Sequence, residues 1–178
     1  MAKAMNNSNL KDKVSKKELL EILKSESDHI HISDIMNSYV LLVEDGRYVQ
    51  SDYQKEFLDA YVKGFLMRVK EIRGDKTEYK DFIDGEKLQE ALNNLIEQEI
   101  KIKKERPEES NFFRIYKIIS LYTTFVLEEP IHLVGTPFPG GFKVKLEGKT
   151  YYCPVKEKQK DNPGAVCGFC IAEQDRDV

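Results

Sequence analysis

At 178 residues the chain can form one domain, or one domain with a small appended module, and its 40% apolar content, including nine Phe and nine Tyr, is enough to fill a core. Charged residues make up 33% and nearly cancel, leaving −3, so the chain as a whole offers no argument for nucleic acid or anionic membrane as a partner. No apolar run approaches the roughly 20 residues of a membrane span. The stretch 1–14 lacks the apolar centre of an export signal and reads as a polar tail. The expectation is a cytoplasmic protein with reduced cysteines.

The first helix should start at Ser15, because Ser15-x-x-Glu18 is a capping box in which the hydroxyl accepts from a first-turn amide. Leu19, Leu20, Ile22 and Leu23 give it an apolar side that runs out near Ser25. His29 and His31 follow, flanked by Ser27, Asp28, Ser33 and Asp34. A second helix is expected from about Ser33 to Val43, with Ile35, Met36, Tyr39, Val40 and Val43 on one stripe and Asp45-Gly46 closing it.

Ser51-x-x-Gln54 then opens a long helix, in which Tyr53, Phe57, Tyr61, Phe65 and Val69 recur every four residues until Gly74. After a brief segment from Tyr79 to Ile83, Asp84-Gly85 leads into another. There Leu88, Leu92, Leu95, Ile96 and Ile100 are expected to face inward. Pro107 marks a boundary. From Glu108 to Glu128 runs the most apolar helix of the chain, polar only along Arg114, Lys117, Ser120 and Thr123 or Thr124. A helix apolar around most of its circumference should be the spine.

Glu129-Pro130 ends it, and the texture changes. Four of the six prolines and six of the ten glycines lie beyond that point. Phe142, Val144 and Leu146 alternate with Lys143, Lys145 and Glu147, as in a half-buried strand, and Thr150-Tyr151-Tyr152 returns beyond Gly148 as its partner. The fold class is therefore mainly α. A helical bundle over 15–129 is followed by a small β-hairpin, cysteine-bearing module over 130–178.

Chemistry-bearing residues gather in this last stretch. Cys153 and the pair Cys167-x-x-Cys170 are all the cysteines of the chain. A CxxC turn brings two thiolates to one side, and a hairpin end is a usual place for a further ligand. Three thiolates with His132 as a weaker fourth would make a Cys3His zinc site of structural type. The same thiolates could instead hold an iron–sulfur cluster. No βαβ pattern surrounds the CxxC, which argues against a thioredoxin-like dithiol.

Gly135-Thr-Pro-Phe-Pro-Gly140-Gly141 is glycine-rich, but two prolines remove amides that could cradle a phosphate and no Lys-Ser or Lys-Thr follows. It reads as a rigid turn. As a pocket wall it would offer Gly135, Thr136, Gly140 and Gly141. Six lysines between Lys143 and Lys160 face three acids up to Asp161, a local excess that a nucleic-acid-binding hairpin would need and that a solvated strand also shows. His29 and His31 are weaker candidates for a metal or acid–base role. There is no nucleophile elbow and no His-Glu-x-x-His, so no reaction is assigned.

The run Val134-Gly-Thr-Pro-Phe-Pro-Gly-Gly-Phe142, with Tyr152-Cys-Pro-Val-Lys-Glu-Lys-Gln-Lys-Asp-Asn-Pro163 and Cys167-Gly-Phe-Cys170, resembles uncharacterised protein family 0305 (domain of unknown function 2115), found mainly in methanogenic archaea. The resemblance implies a cytoplasmic archaeal protein from an anaerobe, a setting that favours iron–sulfur chemistry, and it carries no activity, substrate or catalytic residue. The leading expectation is structural zinc supporting a partner-binding surface. An iron–sulfur redox protein or enzyme with a pocket beside the 135–141 loop is the alternative, and a nucleic-acid-binding hairpin the second.

Overall fold

The computed structural model describes residues 13–46 and 51–178, the side chains of residues 45, 46, 51–53, 61, 63, 65 and 66 excepted. The expected tail 1–14 lies outside this range except for its last two residues, and these are ordered. Lys13–Ser15 forms β1, which pairs antiparallel with β2, Phe82–Asp84, in the register Val14 opposite Ile83. Each strand feeds a helix directly. Ser15 caps α1, Lys16–Asp28, its hydroxyl accepting from the Glu18 amide at 3.4 Å. Asp84 caps α4, Gly85–Glu105, accepting from the amides of Glu86 and Lys87 at 3.0 and 3.2 Å.

Between them lie α2, Ile32–Gly46, and α3, Ser51–Gly74. The expected capping role of Ser51 and the stripe positions Tyr53, Tyr61 and Phe65 fall on side chains outside the described ones. The start of α2 is set by Asp34, whose carboxylate accepts the His31 amide at 2.9 Å. Arg73, near the end of α3, donates to the carbonyls of Ser27 and Ile30, so a cation closes the C-terminal end of α1.

The expected spine is present but is built in three pieces. A 3-10 turn at Pro107–Glu109 leads into α5, Ser110–Leu121, and then into a π-helical segment, Tyr122–Val126. All five residues of that segment are buried. Leu127 donates to the Tyr122 carbonyl five residues back, and Glu128 takes a left-handed φ of 55° before Pro130 forbids continuation.

The polar strip expected on this helix faces inward rather than to water. Lys117 is buried and paired with Glu99 of α4. The hydroxyls of Ser120, Thr123 and Thr124 are buried and find no hydrogen-bond partner among the described residues. Tyr122 instead donates to Asp75 at 2.9 Å, which also accepts from Tyr79.

The core gathers Leu19 and Leu23 of α1, Leu88 and Leu95 of α4, and Ile115 and Leu121 of the spine, each fully buried. Each such side chain contributes roughly 1.5–3 kcal/mol. Ile100 is the exception to the expected inward face of α4, at 64% exposure. Twelve residues past Leu88, it lies about 120° around the helix from it. Ala91 and Ile102 fill the buried side instead.

Beyond Pro130 the loop 135–141 is itself part of a hairpin. Pro137–Phe138 (β3) pairs with Phe142–Lys143 (β4), and positive φ at Gly135, Gly140 and Gly141 makes the tight return. Val144 is buried between strands, and β5, Lys145–Glu147, pairs with β6, Thr150–Cys153. This break after Lys143 defeats the expected alternation: Val144 points in and Leu146 is 48% exposed. A short helix α6, Lys156–Gln159, follows, and β7, Glu173–Gln174, adds to β6 in parallel. The architecture is mainly α with small sheets. No helix among the described residues is long and apolar enough to cross a membrane.

Candidate functional site: the thiol cluster

Cys153 ends β6, where the chain must turn at Pro154. It is 7% exposed, and its carbonyl accepts the Asp175 amide at 3.0 Å, which fixes the strand end against the segment after β7. The amides of Val155 and Lys156 donate toward its sulfur, a consequence of the turn that follows. Cys167-Gly-Phe-Cys170 is a tight turn closed by the Cys170 amide on the Val166 carbonyl at 3.1 Å. A side chain at Gly168 would meet the Lys160 carbonyl at 3.1 Å, which accounts for glycine there.

Lys156 ties the two stretches together. Its ammonium donates to the carbonyl of Cys167 and, at 2.7 Å, to that of Cys170. The three thiols lie within electrostatic reach of one another. Burial, with Cys170 and Cys153 acting the same way, pushes the Cys167 thiol up to about 11. Burial also raises Cys153, opposed by the two amides and by Lys156. Uncomplexed, Cys153 and Cys167 are therefore held as thiols. As placed, no group of three or more His, Cys, Asp or Glu side chains among the described residues is arranged to hold a metal ion.

His132 is not brought to the cysteines. Its ring meets Phe138 edge-on at 5.4 Å, and it lines a cavity of about 30 Å³ with Ala60, Gly64, Arg68, Tyr116 and Thr136. That is the wall facing α3 and α5, whereas Cys170 borders α4 and the π segment. Burial pushes the His132 pKa down to about 4.

Of the four residues expected to line a pocket, Thr136 reaches this small cavity, and Gly135, Gly140 and Gly141 serve the hairpin turn. A larger cleft, of about 720 Å³, opens on the far side of the CxxC turn instead. Sequence reasoning missed it because its walls come from three separated stretches.

His29 and His31 have exposed side chains, and Asp34 beside them is occupied by the His31 amide, Asn111 and Arg114. The lysine-rich run is largely engaged: Lys143 with Glu56, Lys145 with Asp175 and Asp177, Lys160 with Glu157, and Lys156 with the two carbonyls.

Comparison with known proteins agrees with the sequence resemblance. Residues 15–175 match the family described as an uncharacterized protein conserved in archaea (DUF2115). A UPF0305 protein of Methanothermobacter thermautotrophicus is 45% identical over 161 residues, 90% of this chain and 97% of that relative. A UPF0305 protein of Methanocaldococcus jannaschii is 34% identical over 88% of this chain and 94% of its own length. One of Methanopyrus kandleri is 33% identical over 71% and 87%. No solved structure matches. The chain belongs to this archaeal family, DUF2115 or UPF0305.

Proposed function

We propose that Cys153, Cys167 and Cys170 close on a zinc ion that braces the C-terminal module, and that the protein works as a partner-binding scaffold. The observation that carries this reading is the mutual coupling of three thiols supplied by two separate stretches. Three clustered thiolates, one buried and two half-buried, would repel one another unless a cation sat among them, and a divalent ion is the strongest available remedy. In the placement described above the side chains do not form a metal-holding group, so binding requires them to rotate toward a common point. The fourth position would be taken by water or a partner residue rather than by His132. An exposed apolar stripe on α2, formed by Ile32, Met36, Tyr39 and Val40, is a surface of the kind that partners cover.

Elemental analysis of the full chain purified without oxygen tests this. The expected result is about one zinc per chain, with Cys153→Ser and Cys167→Ser each lowering both zinc content and Tm. A brown protein carrying iron and acid-labile sulfide would replace zinc by a cluster. Absence of either metal, with Cys167→Ser as stable as the parent, makes the thiols packing residues and ends the reading.

A further inference from the structure

The cleft of about 720 Å³ falls in the size range of small-molecule sites, roughly 300–1,000 Å³. It lies between β2 with the start of α4 on one side and the π segment with residues 168–171 on the other. Its apolar lining is Phe82, Ile83, Ala91, Phe125, Phe169 and Ile171. Phe125 and Phe169 stack with ring centroids 6.2 Å apart and planes 19° from parallel. Phe82, across the cleft on β2, is 63% exposed, an aromatic ring that the fold leaves uncovered.

The charges of the lining sort by what already holds them. Asp84 is committed to the amides that start α4, and Glu128 to Lys16 at 2.7 Å. Lys87 and Glu90, one turn apart on α4, make no ion pair among the described residues, and Asp84 keeps its charge while accepting amides, so Lys87 is the one cation among carboxylates on this rim. Thr124, also in the lining, is 4% exposed, and its hydroxyl has no hydrogen-bond partner among the described residues. An unpartnered buried hydroxyl costs on the order of 1–3 kcal/mol.

We propose that this cleft binds a small, flat aromatic or heteroaromatic molecule of no net charge. Its ring enters between Phe82 and the Phe125–Phe169 pair, and a polar substituent reaches Thr124. Aromatic contacts of this kind favour offset or edge-on rings and reward area beyond simple burial. The carboxylates of Asp84, Glu90 and Glu128 around Lys87 give no advantage to an anion, and the apolar rings of the wall favour a neutral ring. The site stands whether or not the thiols hold zinc, because its rings belong to β2, the spine and the side chain of Phe169.

Two dyes sharing one ring system test the assignment on the full chain: neutral phenylnaphthylamine, and anilinonaphthalene sulfonate, which adds an anion. The expected result is saturable binding of phenylnaphthylamine at about one per chain, with the sulfonate no tighter. Phe82→Ala, at an exposed site that leaves the core intact, should weaken it about 2- to 10-fold, the equivalent of one aromatic contact. Ile171→Glu at the rim should weaken it in the same way, with circular dichroism unchanged for both variants. Non-saturable binding overturns the proposal. So does loss of binding in Met36→Ser on α2 with none in Phe82→Ala, which would place the dye on the exposed stripe. Much tighter binding of the sulfonate, abolished by Lys87→Gln, overturns the neutral-ligand assignment.

Discussion

At the scale of single residues, His132 shows how a chemically suggestive side chain acquires a different role from its surroundings. In the sequence it is the nearest nitrogen donor to three cysteines. In the fold it packs on Phe138 against the α3–α5 wall, where burial lowers its pKa to about 4. Linkage then gives a definite pH dependence. The unfolded chain takes up a proton near pH 6.5, while the folded protein resists until about 4. The contribution of the neutral ring is complete above pH 6.5 and is lost as pH falls from there toward 4. Thermal melts across that window should show Tm of the parent falling relative to that of His132→Gln. Parallel curves for the two proteins would mean that the imidazole is as easily protonated folded as unfolded. Nothing at position 132 in the sequence shows which wall the ring will meet, since twenty residues of turn and hairpin separate it from Cys153.

Elements were legible where their signals are local. Ser15 and Asp84 both begin helices where the sequence places them, because a cap needs only its own side chain and the next two or three amides. Asp84→Ala should accordingly lower stability by about 1 kcal/mol, read as a shift of the urea midpoint with an unchanged slope. A change well under a few tenths would show that β2 alone fixes the start of α4. Other features depended on partners distant in sequence. The strands β1 and β7 are two or three residues long and exist through β2 and β6, so neither has a periodicity to read. The polar positions of the spine looked like a wet strip, yet Lys117 finds Glu99 on α4 and three hydroxyls are buried with no partner among the described residues. The thiol stretch was visible from residue type and spacing. The cleft next to it was not, because Phe82, Phe125 and Phe169 carry no mark until three elements meet.

At the scale of the molecule, the helical part and the C-terminal stretch share their interior. Val166 is counted among the helices' buried core, Phe169 stacks on Phe125, and Gln98 of α4 donates to the Ala165 carbonyl. An appended module with its own core would not need these contacts. We expect a single cooperative unfolding transition, with Val166→Ala and Leu95→Ala moving the same midpoint. The first should cost about 1–3 kcal/mol and the second roughly 2–5. Two transitions, each shifted by one variant alone, would show that the two parts fold independently.

The π segment at Tyr122–Val126 bears on all of this through chain length. A wide turn holds one residue more than an α-helix of the same rise would use. Removing one residue there would let the ladder close as a regular helix with nearly the same exit direction, whereas removing one from the regular α5 would rotate everything downstream by about 100°. Glu128 and Pro130 would then leave from another side of the spine, carrying Cys153, Cys167 and Cys170 away from α4. The segment therefore holds a spare residue that α5 does not have, so a deletion in α5, unlike one in the wide turn, would be felt some forty residues later.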